Sequence, residues 1–369
     1  MADTLDVLKS LGTSVARGVP QIATGFVDLA GLPLTMTGLR QPEQIFGSTA
    51  YLTNKGLLPQ SQTGLLSQGA ELASSMLSPA SLAKAGLLGA YAATKAPKYS
   101  SLLGKSDIEQ SATNRLITQY PELKQQYNTL NVPHAETKGG RILNTDAARE
   151  LFPEYAANRT LSAQVHEPAS TFVKNLYAEK LSQPTPQGYN STVVFTAGGT
   201  GAGKTSAIEQ ASKNAGDNLN KAEMIYDTNM NTFRSADDKI QQALDAGRDV
   251  RIFYTYRDPI ESLTEGALTR ASKMEKNFGS GRTVPLSEHL KTHIGSRNTI
   301  DELASKYKDN PNVQITAINN SLGKGNAKRI ELSDLPKLNE KEIRKKLNDA
   351  LEKSKSNISE AIYRGTKDY

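Results

Sequence analysis

Residues Gly198 to Thr205 read GGTGAGKT and fit the spacing G-x-x-x-x-G-K-[ST] in full. The apolar run TVVFTA (192 to 197) leads in, and KTSAIEQASKNA (204 to 215) leads out with a helical pattern. That context constrains the fold more than any other feature. A glycine-rich turn between a buried strand and a helix lets successive backbone N–H groups curl around phosphate oxygens, with the helix N-terminus adding a favourable dipole. The expected cradle is Gly198, Gly199, Thr200, Gly201, Ala202, Gly203, Lys204, Thr205 and Ser206. Lys204 would neutralise charge on the terminal phosphates of a nucleoside triphosphate, and Thr205 would hold Mg²⁺.

The same alternation continues downstream. AEMIYDTN reads as a strand, SADDKIQQALDAG as a helix with Ser235 at its N-cap and Gly247 after its end, and DVRIFYTY as a strand. Strand and helix in turn imply an α/β fold with a parallel sheet and helices on both faces. Upstream, GGRILNT carries one strand, and SQPTPQGYNS (182 to 191) is a loop rich in Pro and Gly that feeds TVVFTA. A phosphate site of this kind needs a carboxylate near the metal at a neighbouring strand end. Asp227, ending EMIYD, is the candidate for the metal, or else an Asp that starts a loop. The segment after DVRIFYTY supplies Arg257, Arg270, Lys273 and Arg282 around a glycine-rich turn, FGSGR. They read either as a basic lid over a nucleotide or as surface charge.

With 369 residues the chain should hold two or three units. Residues 1 to 105 are rich in Gly, Ala, Leu, Ser and Thr, sparse in charge and broken by proline, which predicts a mainly α-helical N-terminal region. Residues 106 to 335 form the phosphate-binding domain, and 336 to 369 a charged C-terminal helix on the surface. With no Cys, thiolate metal sites and cysteine nucleophiles are excluded. A net charge of +6 from 44 basic and 38 acidic residues is a near-balanced mixture without a basic block and interleaved aromatics, so no specific nucleic-acid partner is expected. No run approaches the length of a membrane span, and the first twenty residues lack the pattern of a secretory leader.

The stretches VVFTAGGTGAGKTSA, RIFYTYRDPIESLTEGALTR, GSGRTVPLSEHLKTH and VQITAINNSLGKGNAKRI together resemble the zeta toxin family of P-loop kinases. The resemblance covers roughly residues 140 to 335. It implies a nucleotide-kinase-like fold and ATP-dependent, magnesium-dependent phosphorylation of a hydroxyl, in characterised members that of UDP-N-acetylglucosamine. It implies Lys204 and Thr205 on phosphate and metal, Arg270 and Arg282 in the lid, an aspartate as base for the acceptor hydroxyl, and an antitoxin as partner. One feature departs from the family. Too few residues separate Lys204 from Asp227 to hold the aspartate-bearing strand and helix that belong there.

Instead, RILNTDAARELFPEYAANRTLSAQVHEPASTFVKNLYAEKL, ahead of the P-loop, resembles the missing piece. A circular permutation would place Asp146 in the acceptor site, with the Ile142 strand parallel to TVVFTA. Asp146 reads equally well as the N-cap of AARELF, and His166 as a substrate contact or a helix-entry residue. His289 and His293, four apart, lack a third ligand nearby for a metal. The N-terminal region, with VPQIATGFVDLAGLP, resembles internal or ejected phage virion proteins and mobile-element proteins. That implies an alternative: a virion or ejection protein, with virion partners, whose P-loop binds nucleotide without efficient transfer. The expected location is the bacterial cytoplasm, reached by delivery from a virion if this resemblance holds.

Overall fold

The computed structural model describes residues 106–132, 135–214, 219–321 and 325–367. The chain divides into two units. Of the first, Thr113–Tyr120 is described, within helix Asp107–Thr118 and the residues just after it. The second comprises Ser106–Ala112 and Pro121–Tyr369. The expectations for residues 1 to 105, including their phage resemblance, lie outside the described residues.

In the second unit a sheet of six strands runs through the core: β1 Ile142–Asn144, β2 Asn190–Ala197, β3 Ala222–Asp227, β4 Asp249–Tyr256, β5 Val313–Asn319 and β6 Lys328–Ile330. Their order is β1-β3-β2-β4-β5-β6, with the first five in that order parallel and β6 antiparallel to β5. The strand around Ile142 therefore lies parallel in the same sheet as β2, with β3 between them, as expected of it.

Both faces of the sheet are covered, which is why β2 and β4 read as nearly continuous apolar runs. On one face, helix α1 (Thr145–Arg149) follows β1 and α2 (His166–Ser182) packs Tyr177 edge-on against Phe195 and Tyr226. On the other, α3 (Lys204–Asn214) seats Ala207, Ile208 and Ala211 against Val194, Phe253 and Ile318. Further helices include α4 (Phe233–Asp245), α5 (Thr269–Phe278), α6 (Leu286–Lys306), α7 (Glu340–Ser354) and α8 (Glu360–Thr366).

Two local readings are corrected. Helix α4 starts at Phe233, ahead of Ser235, and its N-cap Thr232 makes no side-chain cap bond. Ser235 instead holds Lys239, through its hydroxyl at 2.7 Å and its carbonyl at 2.9 Å. Nor is the C-terminal segment one solvated helix. Ile343, Leu347 and Leu351 of α7 and Ile362 and Tyr363 of α8 are buried in a cluster with Leu263, Leu268, Leu286 and Leu290. Burying three aliphatic side chains contributes roughly 5–9 kcal/mol as an upper bound, against a few tenths for each exposed pair such as Glu340–Arg344. The apolar stripe decides where α7 lies, and its charges fill the outer face.

Candidate active site

The glycine-rich loop joins the end of β2 to α3, as the motif requires. Gly201 has φ +77°, and a Cβ there would collide with the Ser262 carbonyl. At Gly199 a Cβ would collide with the His293 ring. Close packing thus demands glycine at these positions. The Lys204 Nζ donates to Asn229 Oδ1 at 2.7 Å, and the Gly198 N–H donates to the Asn229 carbonyl at 3.1 Å. Burial lowers the Lys204 pKa, with Asp227 and Asp146 opposing and Arg270 and Arg282 reinforcing the shift. Thr205 and Ser206 lie exposed on the first turn of α3, where backbone N–H groups have no partner within the helix. The Thr200 N–H is turned the other way and donates to Thr292 Oγ1 at 3.1 Å.

Beside the loop, β1 aligns Asn144 with Asp227 of β3. Asn144 does two things. Its Oδ1 accepts from the N–H groups of Asp146 and Ala147, capping α1, and its Nδ2 donates to Asp227 Oδ2 at 2.9 Å. The cap reading of Asp146 is therefore replaced: Asn144 caps, and the Asp146 carboxylate is left for other partners. It forms ion pairs with Arg149 and Arg282. Burial alone would raise its pKa, but Arg282, Arg149 and Arg270 hold it well below the usual carboxylate range.

Arg282 follows the turn Gly279-Ser280-Gly281, which ends α5 with Gly279 at φ +75°. Arg270, on α5, is pushed down to about 10, first by the neighbouring Arg282 charge and then by burial. Its Nε is buried without a hydrogen-bond partner, as is that of Arg149. Guanidinium edges left in this state suit the oxygens of a phosphate. The structure brings Lys204, Asp146, Asp227, Arg270 and Arg282 within electrostatic reach of one another. Two residues stand apart from them. Arg257 pairs with Glu261 and Glu265, and Lys273 is exposed.

Arg149 is a side chain of this charged group that sequence reasoning missed. Its spacing three residues after Asp146, on the same helical face, was the available signal. Its Nη2 lies 2.6 Å from Nδ1 of His166, the first residue of α2. Burial and the Arg149 charge lower the pKa of that histidine. The Asp227 oxygens accept from Thr196 Oγ1 at 2.6 Å and from Asn144 Nδ2, one bond each. A lone pair remains on each oxygen. These are hard oxygen donors of the kind Mg²⁺ takes, as is the exposed Thr205 hydroxyl.

His289 and His293 lie under the loop as a pair of rings tilted by 44°, with centroids 4.6 Å apart. Their Nε2 atoms lie 2.9 Å from the Pro259 carbonyl and 3.1 Å from the Thr200 carbonyl, which selects the Nε2–H tautomer in both rings. Burial pushes them down to about 4 and about 3. An unfolded chain with histidines near 6.5 then binds more protons than the folded one, so stability falls as pH drops below about 6.5. Between pH 7 and pH 5 each should cost about 2 kcal/mol. Urea midpoints at the two pH values should show the loss, and His293→Gln should remove about half of it. An equal loss in that variant would show that the ring is not buried neutral.

The zeta toxin family model matches residues 218–325. That stretch holds Asp227, Arg270 and Arg282, and the P-loop and Asp146 lie outside it. No curated protein matches the chain.

Proposed function

We propose that this protein is a zeta toxin-type kinase in circularly permuted order, which transfers the γ-phosphoryl group of ATP to a hydroxyl of a UDP-activated amino sugar. The match to the zeta toxin family supports a P-loop kinase-like, ATP-dependent function. The observation that carries the finer reading is the parallel pairing of β1 with β3. That pairing aligns Asn144 with Asp227, and Asp146, two residues on, comes within electrostatic reach of Lys204 and of two arginines at the carboxyl end of the sheet, where open α/β sheets take their ligands. Five strands in the same direction leave one face of crevice for both substrates.

In this reading Lys204 and the first turn of α3 bind the terminal phosphates, and Arg270 and Arg282 close over the transferring group. Asp146 takes the proton from the acceptor hydroxyl as its oxygen attacks the γ-phosphorus. The bond from that phosphorus to the bridging oxygen breaks, and ADP leaves with the electron pair. The arginines that hold Asp146 ionised also make it a weak base. Phosphates that draw Arg270 and Arg282 away raise its basicity when the acceptor is in place. Thr205 and Asp227 would hold Mg²⁺, which neutralises charge on the phosphates.

The test is direct. With γ-labelled ATP and Mg²⁺, label should pass to UDP-N-acetylglucosamine and not to the corresponding sugar lacking its reacting hydroxyl. Tight MgATP binding with no transfer to this or any other nucleotide sugar would overturn the acceptor assignment. Among the described residues no helix is long and apolar enough to cross a membrane. An antitoxin that masks the crevice is part of the same proposal, because a kinase that consumes a nucleotide sugar must be restrained in the cell that makes it.

A further inference from the structure

One face of α6 touches both walls of the nucleotide crevice. Thr292 Oγ1 accepts the Thr200 N–H at 3.1 Å and gives its own proton to the His289 carbonyl at 2.8 Å. His293 Nε2 donates to the Thr200 carbonyl at 3.1 Å. The peptide groups on both sides of Thr200 are therefore gripped, one through its N–H and one through its carbonyl. Ser296, one turn on, donates to the Asn229 carbonyl at 2.7 Å. Asn229 is the residue whose side chain holds Lys204 and whose carbonyl takes the Gly198 N–H. Thr292, His293 and Ser296 are all buried.

Four of the six residues from Gly198 to Gly203 are glycine, and glycine loses more backbone freedom on ordering than any other residue. Such a loop, left alone, samples many conformations, and a ligand that needs one of them binds more weakly by the fraction of time that conformation is absent. Hydrogen bonds to both sides of Thr200 remove that freedom before the nucleotide arrives. They also give up one N–H that the motif alone would have assigned to phosphate.

We propose that Thr292 and His293 are positioning residues for the nucleotide, holding the Thr200 peptide groups so that the P-loop stands open as a phosphate cradle in the absence of ligand. His293 acts as a neutral donor, and Thr292 as an acceptor anchored to its own helix. Neither touches phosphate. The proposal rests on the P-loop reading above and goes beyond it, in assigning the preorganisation of the loop to a helix that follows it by some ninety residues.

The test uses the full chain with MgATP as the probe. Thr292→Val keeps the shape and loses the hydroxyl, whereas Thr292→Ser keeps the hydroxyl. His293→Ala loses the donor, whereas His293→Gln offers an amide N–H in its place. The Val and Ala variants should bind MgATP on the order of tenfold more weakly, with KM for ATP raised more than kcat is lowered, and the Ser and Gln variants should stay near the parent. In the parent protein without nucleotide, the Thr200 amide should already exchange slowly with solvent. Parent-like affinity in both Thr292→Val and His293→Ala, or fast Thr200 exchange that slows only when MgATP is added, would overturn the proposal. Lys204→Ala separates the two readings. If it too leaves MgATP affinity unchanged, the P-loop assignment has failed; if it weakens binding while neither Thr292→Val nor His293→Ala does, only the positioning role has failed.

Discussion

Asp146→Asn should reduce phosphoryl transfer by about 10²–10⁴-fold, the usual contribution of a positioned general base, while MgATP affinity stays the same or tightens. The substitution is isosteric, and the Asn144 cap on α1 does not use the Asp146 side chain, so the local backbone has no reason to move. What is lost is the proton acceptor and a negative charge among Arg149, Arg270 and Arg282. Without that carboxylate, Arg282 no longer has its ion-pair partner and is free to meet phosphate. Single-turnover transfer and equilibrium MgATP binding, measured on the same preparation, separate the two effects. Transfer at the parental rate would remove Asp146 from the chemistry and leave the acceptor side without a base.

Lys204→Ala should abolish detectable turnover and weaken MgATP binding as well, a loss on the order of 10³-fold or more in kcat/KM. The ammonium group is the cation at the base of the loop, where it donates to Asn229. Burial already lowers its pKa, so part of the free energy of charging it is recovered when phosphate supplies counter-charge. Lys204→Arg is not a safe control, because the larger planar group would have to fit where Lys204 and Asn229 meet at 2.7 Å. Calorimetric binding and a coupled ATP turnover assay are sufficient. Unchanged affinity would show that Gly198 to Thr205 is not the nucleotide site.

How far these residues could be read from the sequence depended on how local their signals were. The P-loop was legible because glycine spacing and the Lys-Thr pair are contiguous, and because TVVFTA before it has the pattern of a strand buried on both faces. Asp146 was legible as a candidate, but its role was ambiguous until Asn144 was seen to occupy the cap. Arg149 was missed, since one arginine on a short helix carries no pattern of its own. Thr292 and Ser296 were also missed, and His293 was weighed only as a metal ligand. Their partners Thr200 and Asn229 lie far off in the chain, and no periodicity reports a contact across that distance. The docking of α7 was in principle legible: Ile343, Leu347 and Leu351 recur every four residues. Abundant charge on the outer face hid that stripe.

The position of β1 has a consequence for the order in which the molecule can be assembled. It is an edge strand of three residues, and its neighbour in the sheet is β3, not the nearer β2. Asn144 and Asp227, which face each other across that pair, are separated by 83 residues. During synthesis β1 leaves the ribosome before β2, yet it has nothing to pair with until β3 has emerged and docked on β2. Non-local pairings of this kind close late, because the loop entropy must be met before the contact repays it. A growing chain thus carries its glycine-rich loop out of the ribosome while Asp146 is still unseated. In this order of elements the strand that leads to Asp146 is made first, yet it can join the sheet no earlier than third, after β2 and β3.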